Sequence, residues 1–167
     1  IRFMKRIFFF GLALLTIMAC KEQKQELVVE DTATYEIGNE KWPKKLPIKP
    51  EAQAILKDWI EFASFETSFD ALQTVANKED LSLVIEDMIT KQNQLAESTY
   101  PKEFDIPQVK SRQKIFKTYM LKVKGDLYYR TDPNESLLQM IEAYNAFRNQ
   151  FNVVVNNKLD TNLILDF

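Results

Sequence analysis

The stretch DPNESLLQMIEAYNAFRNQFNVVVNNKL, residues 132–159, decides the fold of this chain. Asp132 can accept from the free N–H groups of a following helix, Pro133 suits its first turn, and Glu135 can reach back as in a capping box. Apolar residues then recur on one helical face over about six turns: Leu137, Ile141, Tyr144, Phe151, Val154 and Leu159. The stretch therefore predicts a long amphipathic helix.

Three further helical segments precede this stretch, and they begin at Pro50, Asn77 and Pro107. Proline is tolerated in the first turn of a helix, and asparagine is a favoured N-cap. Asp105 is a candidate cap for the segment that starts at Pro107. Apolar residues in all three segments step mostly by threes and fours, which is the spacing of a buried helix face. The predicted extents are residues 50–76, 77–96 and 107–130.

Four long helices with short connections predict an all-α fold. We expect an up-down-up-down four-helix bundle over residues 50–167. No alternating run rich in valine, isoleucine and threonine competes for a sheet. The apolar tail at residues 163–167 is expected to dock on the bundle.

The N-terminus has the pattern of a secretory signal peptide over residues 1–19. Met4-Lys5-Arg6 is followed by a 13-residue apolar run, Ile7 to Ala19, and then by Cys20. A basic start, an apolar stretch of this length and a small residue before the cut are typical of such signals. A transmembrane helix needs about 20 apolar residues, so the run is too short to span a membrane. A buried core helix fits the length but not the basic flank.

Cys20 is the only cysteine in the chain. Ile17-Met18-Ala19-Cys20 resembles the lipobox of bacterial lipoproteins, and the resemblance implies lipid attachment at the Cys20 thiol. Lys21 follows, where many lipoproteins retained at the inner membrane have aspartate. The residues 21–24, Lys-Glu-Gln-Lys, loosely resemble the surface-export signal of Bacteroidota lipoproteins, which usually has its lysine one place later and then two acids. The chain as a whole resembles the small helical lipoproteins of Bacteroidota envelopes, which implies an outer-membrane location, periplasmic or surface-exposed.

Residues 20–49 are predicted to form a lipidated N-terminus and a flexible tether. They are polar and charged, and Pro43 and Pro47 interrupt their end. A flexible chain of this length spans about 30 Å root-mean-square. Trp42 is either a recognition residue or a ring that folds back over one end of the bundle.

Composition excludes several classes of function. Removal of the 19 residues before Cys20 leaves 148 residues, with 19 lysines and arginines against 24 acidic residues, a net charge of −5. That balance disfavours nucleic-acid binding. The chain has no histidine, so haem ligation by histidine, di-iron Glu-x-x-His sites and Ser-His-Asp catalysis are excluded. We predict no catalytic residue, no metal site and no cofactor. Glu66 and Asp70 share a helix face and are interpreted as a solvated acidic surface.

The third helical segment is strongly basic. Four lysines fall near one of its faces by helical spacing: Lys110, Lys114, Lys117 and Lys124. One interpretation is pairing with the acidic first and second segments, in which each surface ion pair contributes only about 0 to 1 kcal/mol. The other is an anion-binding face for lipid phosphates, acidic glycans or an acidic protein.

Aromatic residues offer a second candidate site. Trp59, Phe62, Tyr119 and Arg148 could line a ligand pocket between the helices, and Phe65, Phe69, Tyr128 and Tyr129 could add to it. The alternative is that these rings are core. Arg112, Asn145 and Arg148 lie close to apolar stripes, where they could form a buried polar network or the polar lining of a pocket.

Two hypotheses for function remain from the sequence. The first is a non-enzymatic cell-envelope lipoprotein, held in the membrane by lipid on Cys20, that binds an envelope protein or glycan. The second is a helical bundle that binds a small molecule in an aromatic-lined pocket. A fully packed bundle favours the first, and a contiguous cavity between the helices favours the second.

Overall fold

The computed structural model describes residues 42–164, and their side chains as far as residue 157. These residues belong to one compact unit, Tyr35–Phe167. The described part of the chain is helical and contains no strand, which confirms the all-α prediction. Its helices are α1 Pro50–Leu56, α2 Ile60–Asp70, α3 Lys78–Glu97, α4 Pro107–Tyr128 and α5 Asn134–Ile164, with a short 3-10 helix at Ala71–Thr74.

The predicted first helix, residues 50–76, is broken in the structure. α1 ends at Leu56, and Trp59 has the non-helical dihedral angles φ −91° and ψ 89°. Its indole ring is buried, and Nε1 donates to Ser98 Oγ at 2.8 Å. The break separates α1, which packs on α5, from α2, which packs on α3. Apolar residues keep their spacing across the break, so periodicity alone predicted one helix.

The helix starts follow the local sequence signals in part. Asn77 Oδ1 accepts from Asp80 N at 2.8 Å and caps α3, as predicted. Asp132 Oδ1 accepts from Asn134 N at 3.0 Å where α5 begins. The prediction for Asp105 was wrong, because Ile106 occupies the N-cap position of α4 and the Asp105 carboxylate pairs with a lysine instead.

The core is built largely from aromatic rings on α2, α4 and α5. The centroids of Phe62 and Phe151 lie 5.3 Å apart, and those of Phe65 and Phe116 lie 5.4 Å apart. Near the end of α2, the Phe69 ring lies 3.9 Å from that of Tyr144. Edge-to-face and offset pairs of this kind add stability beyond the area they bury. α2 and α5 are therefore joined by rings along their length.

Contacts between sequential helices are those expected of antiparallel neighbours. Ser68 on α2 donates to Asp87 on α3, and Lys122 on α4 donates to Gln139 on α5. The up-down-up-down order of a four-helix bundle remains a prediction at this level of detail. No helix in the described part of the chain is long and apolar enough to cross a membrane.

Candidate functional site

The end of the predicted tether lies against the bundle. Residues 43–49, which we call the strap, have no regular secondary structure and run beside α5 into α1. Trp42 and Ile48 are half-buried against the core, so the Trp42 ring folds back onto the bundle. Lys49 has φ −64° and ψ 149°, close to the polyproline II conformation. The folded domain therefore begins no later than Trp42, and the predicted boundary at residue 49 falls inside it.

Two asparagines of α5 hold the strap by its backbone. Asn145 Oδ1 accepts from Leu46 N at 2.7 Å, and its Nδ2 donates to Lys44 O at 3.0 Å. Asn152 repeats the pattern: Oδ1 accepts from Lys49 N at 2.8 Å, and Nδ2 donates to Pro47 O at 3.1 Å. Each amide thus binds an N–H and a C=O two residues apart.

A charged cluster links the strap to α2 and α5. Arg148 donates through Nε to Leu46 O at 2.7 Å and through Nη1 to Glu66 Oε1. Tyr144 OH donates to the same Glu66 oxygen. Lys45 Nζ lies 3.3 Å from Glu66 Oε2 and 2.5 Å from Asp70 Oδ1. The sequence predicted a polar network or pocket lining of Arg112, Asn145 and Arg148. The structure brings Asn145 and Arg148 to the strap, whereas Arg112 is exposed on α4.

Glu66 and Asp70 are not a free acidic face. The strap supplies Lys45 as a cation between them, at 23% side-chain exposure. The Arg148 side chain is 7% exposed and the Glu66 side chain 21%. Its carboxylate accepts from three donors, one of which, Lys45, belongs to the strap, so Glu66 helps to hold the strap in place.

A small pocket of about 300 Å³ opens where the strap meets α2, the 3-10 helix and α5. Its apolar side is formed by Trp42, Phe69, Leu72 and Ile141, and its polar rim by the start of the strap and Gln73. Of the predicted pocket residues, only Phe69 lines it: Trp59 and Phe62 are buried and stacked on each other, and Arg148 is engaged with the strap. Tyr119 is half-buried against the core.

The predicted basic face of α4 is partly neutralised. Lys110 Nζ lies 2.5 Å from Asp105 Oδ1, and Lys124 Nζ lies 3.2 Å from Glu86 Oε1 on α3. Lys114 and Lys117 have no ion pair within the described residues. The structure therefore brings two of the four lysines to acidic neighbours, and it leaves the other two as a short basic strip.

Lys110 also faces an unusual tyrosine. Its Nζ lies 5.0 Å from the centroid of the Tyr100 ring, and Tyr100 OH donates to Gln113 Oε1. Burial raises the pKa of Tyr100 above its ordinary value, against the opposing effects of Gln113 and Lys110. The hydrogen bond to Asp105 raises the pKa of Lys110. Both groups therefore keep their protons at neutral pH, and Lys110 stays a cation.

A third surface feature lies at the turn between α4 and α5, where Tyr128 and Tyr129, predicted as pocket-lining or core residues, are exposed instead. Tyr128 and Tyr129 are 78% and 75% exposed, whereas every other described aromatic residue is buried or half-buried. Their rings meet edge to face at 5.1 Å. Together with Arg130 they form what we call the tyrosine tip. No pattern in the sequence distinguished this pair from the aromatic residues of the core.

The turn that carries the tyrosine tip is rigidly hydrogen-bonded. Thr131 N donates to Asp126 O at 2.9 Å and Arg130 N to Leu127 O at 3.2 Å, the pattern of a Schellman motif. Arg130 has φ 56°, in the left-handed region where glycine is usual. The tip is thus held in one geometry by the backbone that ends α4.

Comparison with known proteins finds no counterpart. No protein-family model, curated protein or solved structure matches the chain. Cys20 lies outside the described residues, so lipid attachment there stays a prediction from the sequence. The surfaces that remain for a functional assignment are the strap with its cluster, the pocket beside it and the tyrosine tip.

Proposed function

We propose that this protein is a non-enzymatic lipoprotein of the cell envelope, anchored at the outer membrane through Cys20, which binds a protein or polymer partner. The anchor is argued from the basic start, the short apolar run and the single cysteine after it. Partner binding is argued from the tyrosine tip, which is the one observation that carries it.

The tyrosine tip has the chemistry of a binding hot spot. Tyrosine and arginine are enriched among residues that dominate interface energies, because they offer large contact area together with hydrogen bonding. Tyr128 and Tyr129 are the two aromatic residues in the described chain that the core does not use. The Schellman turn fixes them before a partner arrives, which lowers the entropic cost of binding.

Site-specific photo-crosslinking tests this surface in intact membranes. A benzophenone amino acid in place of Tyr129 should capture a discrete partner, and the same group in place of Ile60 is the control, since Ile60 is 76% exposed on α2. The adduct should disappear when Tyr128→Ala or Arg130→Ala is added. Protease and glycosidase digestion of the adduct then distinguish a protein from a glycan. Equal adduct patterns at Tyr129 and Ile60 would contradict the proposal.

Small-molecule binding is the second candidate, and the pocket beside the strap favours it. Its volume of about 300 Å³ is at the lower end for ligand sites, and its apolar side includes the Trp42 ring. A ligand there should shift the fluorescence of Trp42 and leave that of Trp59, which is 3% exposed, unchanged. Screening apolar carboxylates against the full chain and its Trp42→Phe variant tests this. A response that survives in Trp42→Phe would place the ligand elsewhere.

A further inference from the structure

We propose that the groove of α5 is a docking site for an extended, basic, proline-containing peptide of a partner protein, and that the strap occupies it as an exchangeable intramolecular ligand. The groove is formed by Asn145, Arg148 and Asn152 on α5, with Glu66 and Asp70 on α2 beside it. This site is separate from the tyrosine tip and does not depend on it.

The spacing of Asn145 and Asn152 along α5 matches the spacing of the backbone groups that they bind in an extended chain. Asn145 and Asn152 are seven residues apart, which is about 10.5 Å along a helix. They bind backbone units that are three residues apart on the strap, about 9.3 Å in polyproline II conformation. The two repeats therefore stay in register along an extended segment of this kind, whereas a helical peptide of three residues would cover only about 4.5 Å.

Recognition of the backbone sets where proline is allowed. The N–H groups that the asparagines use belong to Leu46 and Lys49. Proline has no N–H, so a ligand with proline at either position loses a hydrogen bond. The strap carries its prolines at positions 43 and 47, and both avoid the two donors.

Charge defines the rest of the ligand. Lys45 reaches the Glu66 and Asp70 carboxylates of α2, and Lys49 Nζ donates to Asn156 Oδ1 at 2.8 Å. Arg148 Nε donates to the carbonyl oxygen of Leu46, which lies between Lys45 and Lys49 in the strap. This contact therefore recognises the backbone of the strap and not one of its side chains. A lysine one position before the first N–H donor is therefore the side chain that the groove selects.

The strap can leave without unfolding the helices. Within residues 42–164 it is covalently joined to the helices only through Pro50, and the Lys49 ammonium is held by an exposed contact with Asn156. Trp42 and Ile48 pack against the core near its two ends, and Leu46 between them is half-buried. No residue from 42 to 49 is fully buried, and segments without fully buried residues are among those that open locally before the rest of a fold. While it is closed, the strap weakens the apparent affinity of any competing peptide in proportion to its occupancy.

A labelled peptide with the sequence WPKKLPIKP, residues 42–50, tests the proposal against the full chain. Leu46→Pro in the protein removes one N–H donor from the strap and leaves the groove intact. Loss of that hydrogen bond should open the strap and tighten peptide binding about tenfold. Thr99→Pro is the control, because Thr99 lies in the exposed loop between α3 and α4, outside the strap and the groove, and it should leave the affinity unchanged.

Variants of the groove complete the test. Asn145→Ala and Asn152→Ala, each combined with Leu46→Pro, should abolish the gain, with far-UV circular dichroism used to confirm that the helices persist. Should Leu46→Pro fail to fold, Lys45→Gln weakens the strap through its side chain and should give the same direction of change. Equal peptide affinity in wild type and both opened variants would overturn the proposal. Concentration-dependent dimers of an opened variant, without peptide binding, would overturn it in favour of strap exchange between two copies.

Discussion

At the residue scale, Glu66 has the greatest structural consequence of any single charge in the described chain. It is the one carboxylate that receives hydrogen bonds from Tyr144, Arg148 and Lys45 together. Arg148 is almost fully buried, so the energetic effect of Glu66 includes the cost of leaving that cation without its partner. Surface ion pairs in the same molecule have no such consequence.

Glu66→Gln should therefore lower the free energy of unfolding by about 1.5 to 3 kcal/mol. Glu86→Gln is the matched control, because Glu86 pairs with Lys124 and both side chains are about half exposed. Glu86→Gln should lower the free energy of unfolding by less than about 1 kcal/mol. Urea denaturation measures both, with an unchanged slope indicating that the unfolded state is the same. Equal losses for the two variants would show that burial of Arg148 does not matter here.

Tyr100 should make the free energy of unfolding fall as the pH rises into the alkaline range. Its folded pKa lies above the ordinary value of 10.0 because of burial, so the folded chain keeps a proton that the unfolded chain gives up. Its contribution is complete below about pH 10 and is lost as pH rises through the folded pKa. The fall in urea midpoint between about pH 9 and pH 11 should be shallower in Tyr100→Phe than in wild type. Equal slopes for Tyr100→Phe and wild type would contradict this.

At the element scale, the contacts of the four lysines on α4 bear on whether they pair with acidic helices or form an anion-binding face. Lys124 pairs with Glu86 on the acidic α3, as the structural interpretation requires, whereas Lys110 pairs with Asp105 in the loop before α4. Lys114 and Lys117 keep the anion-binding interpretation open. Because those two lysines lie on one short strip, any anion site would be small and strongly dependent on salt.

Replacement of the four lysines by glutamine should change neither fold nor binding. We expect no association of the unlipidated chain with anionic vesicles, in wild type or in this variant, and a thermal midpoint that moves little. Vesicle titration at about 0.1 M and about 1 M salt measures it, since the Debye length falls from about 10 Å to about 3 Å. Lys57→Gln with Lys102→Gln is a control for charge elsewhere. Salt-sensitive binding lost only in the four-lysine variant would make α4 the functional surface.

Local signals in the sequence predicted the helices well, and long-range contacts explain the misses. Asn77 and Asp132 were readable as caps because capping involves residues two or three apart. The break at Trp59 depends on Ser98, and the strap depends on Asn145, about a hundred residues away from Lys44. The spacing of apolar residues indicates which face of a helix is buried, but it does not indicate which other part of the chain packs on that face. The polar residues beside the stripe of α5 were the only sequence sign of a site there.

At the scale of the whole molecule, the anchor and the bundle are distinct parts of one proposal. The described unit has an aromatic core, a negative overall charge in the mature chain and exposed tyrosines at one turn. Its attachment to a membrane rests on Cys20 alone. The two parts can therefore be tested separately.

Cys20→Ser should abolish lipid labelling, and it should release the chain from the membrane fraction or leave it unprocessed. The sulfur is the atom that accepts the lipid in proteins with this signal, and serine offers no thiol. Incorporation of labelled fatty acid and cell fractionation measure the effect. Lys24→Ala, four residues on, is the control and should be acylated normally. Normal acylation of Cys20→Ser would contradict the lipoprotein assignment.

The direction of the strap has a mechanical consequence. The strap runs along α5 in the same direction as the helix, from Asn145 at Lys44 to Asn152 at Lys49. A pull along the helix axis, applied through the residues before Trp42, loads both amide pairs and the Lys45 bridge in shear, so they resist together. A pull away from the helix peels the Asn145 pair first and the Asn152 pair afterwards. The strap should therefore resist a force along the axis of α5. A force directed away from α5 should detach it in two steps, one for each asparagine.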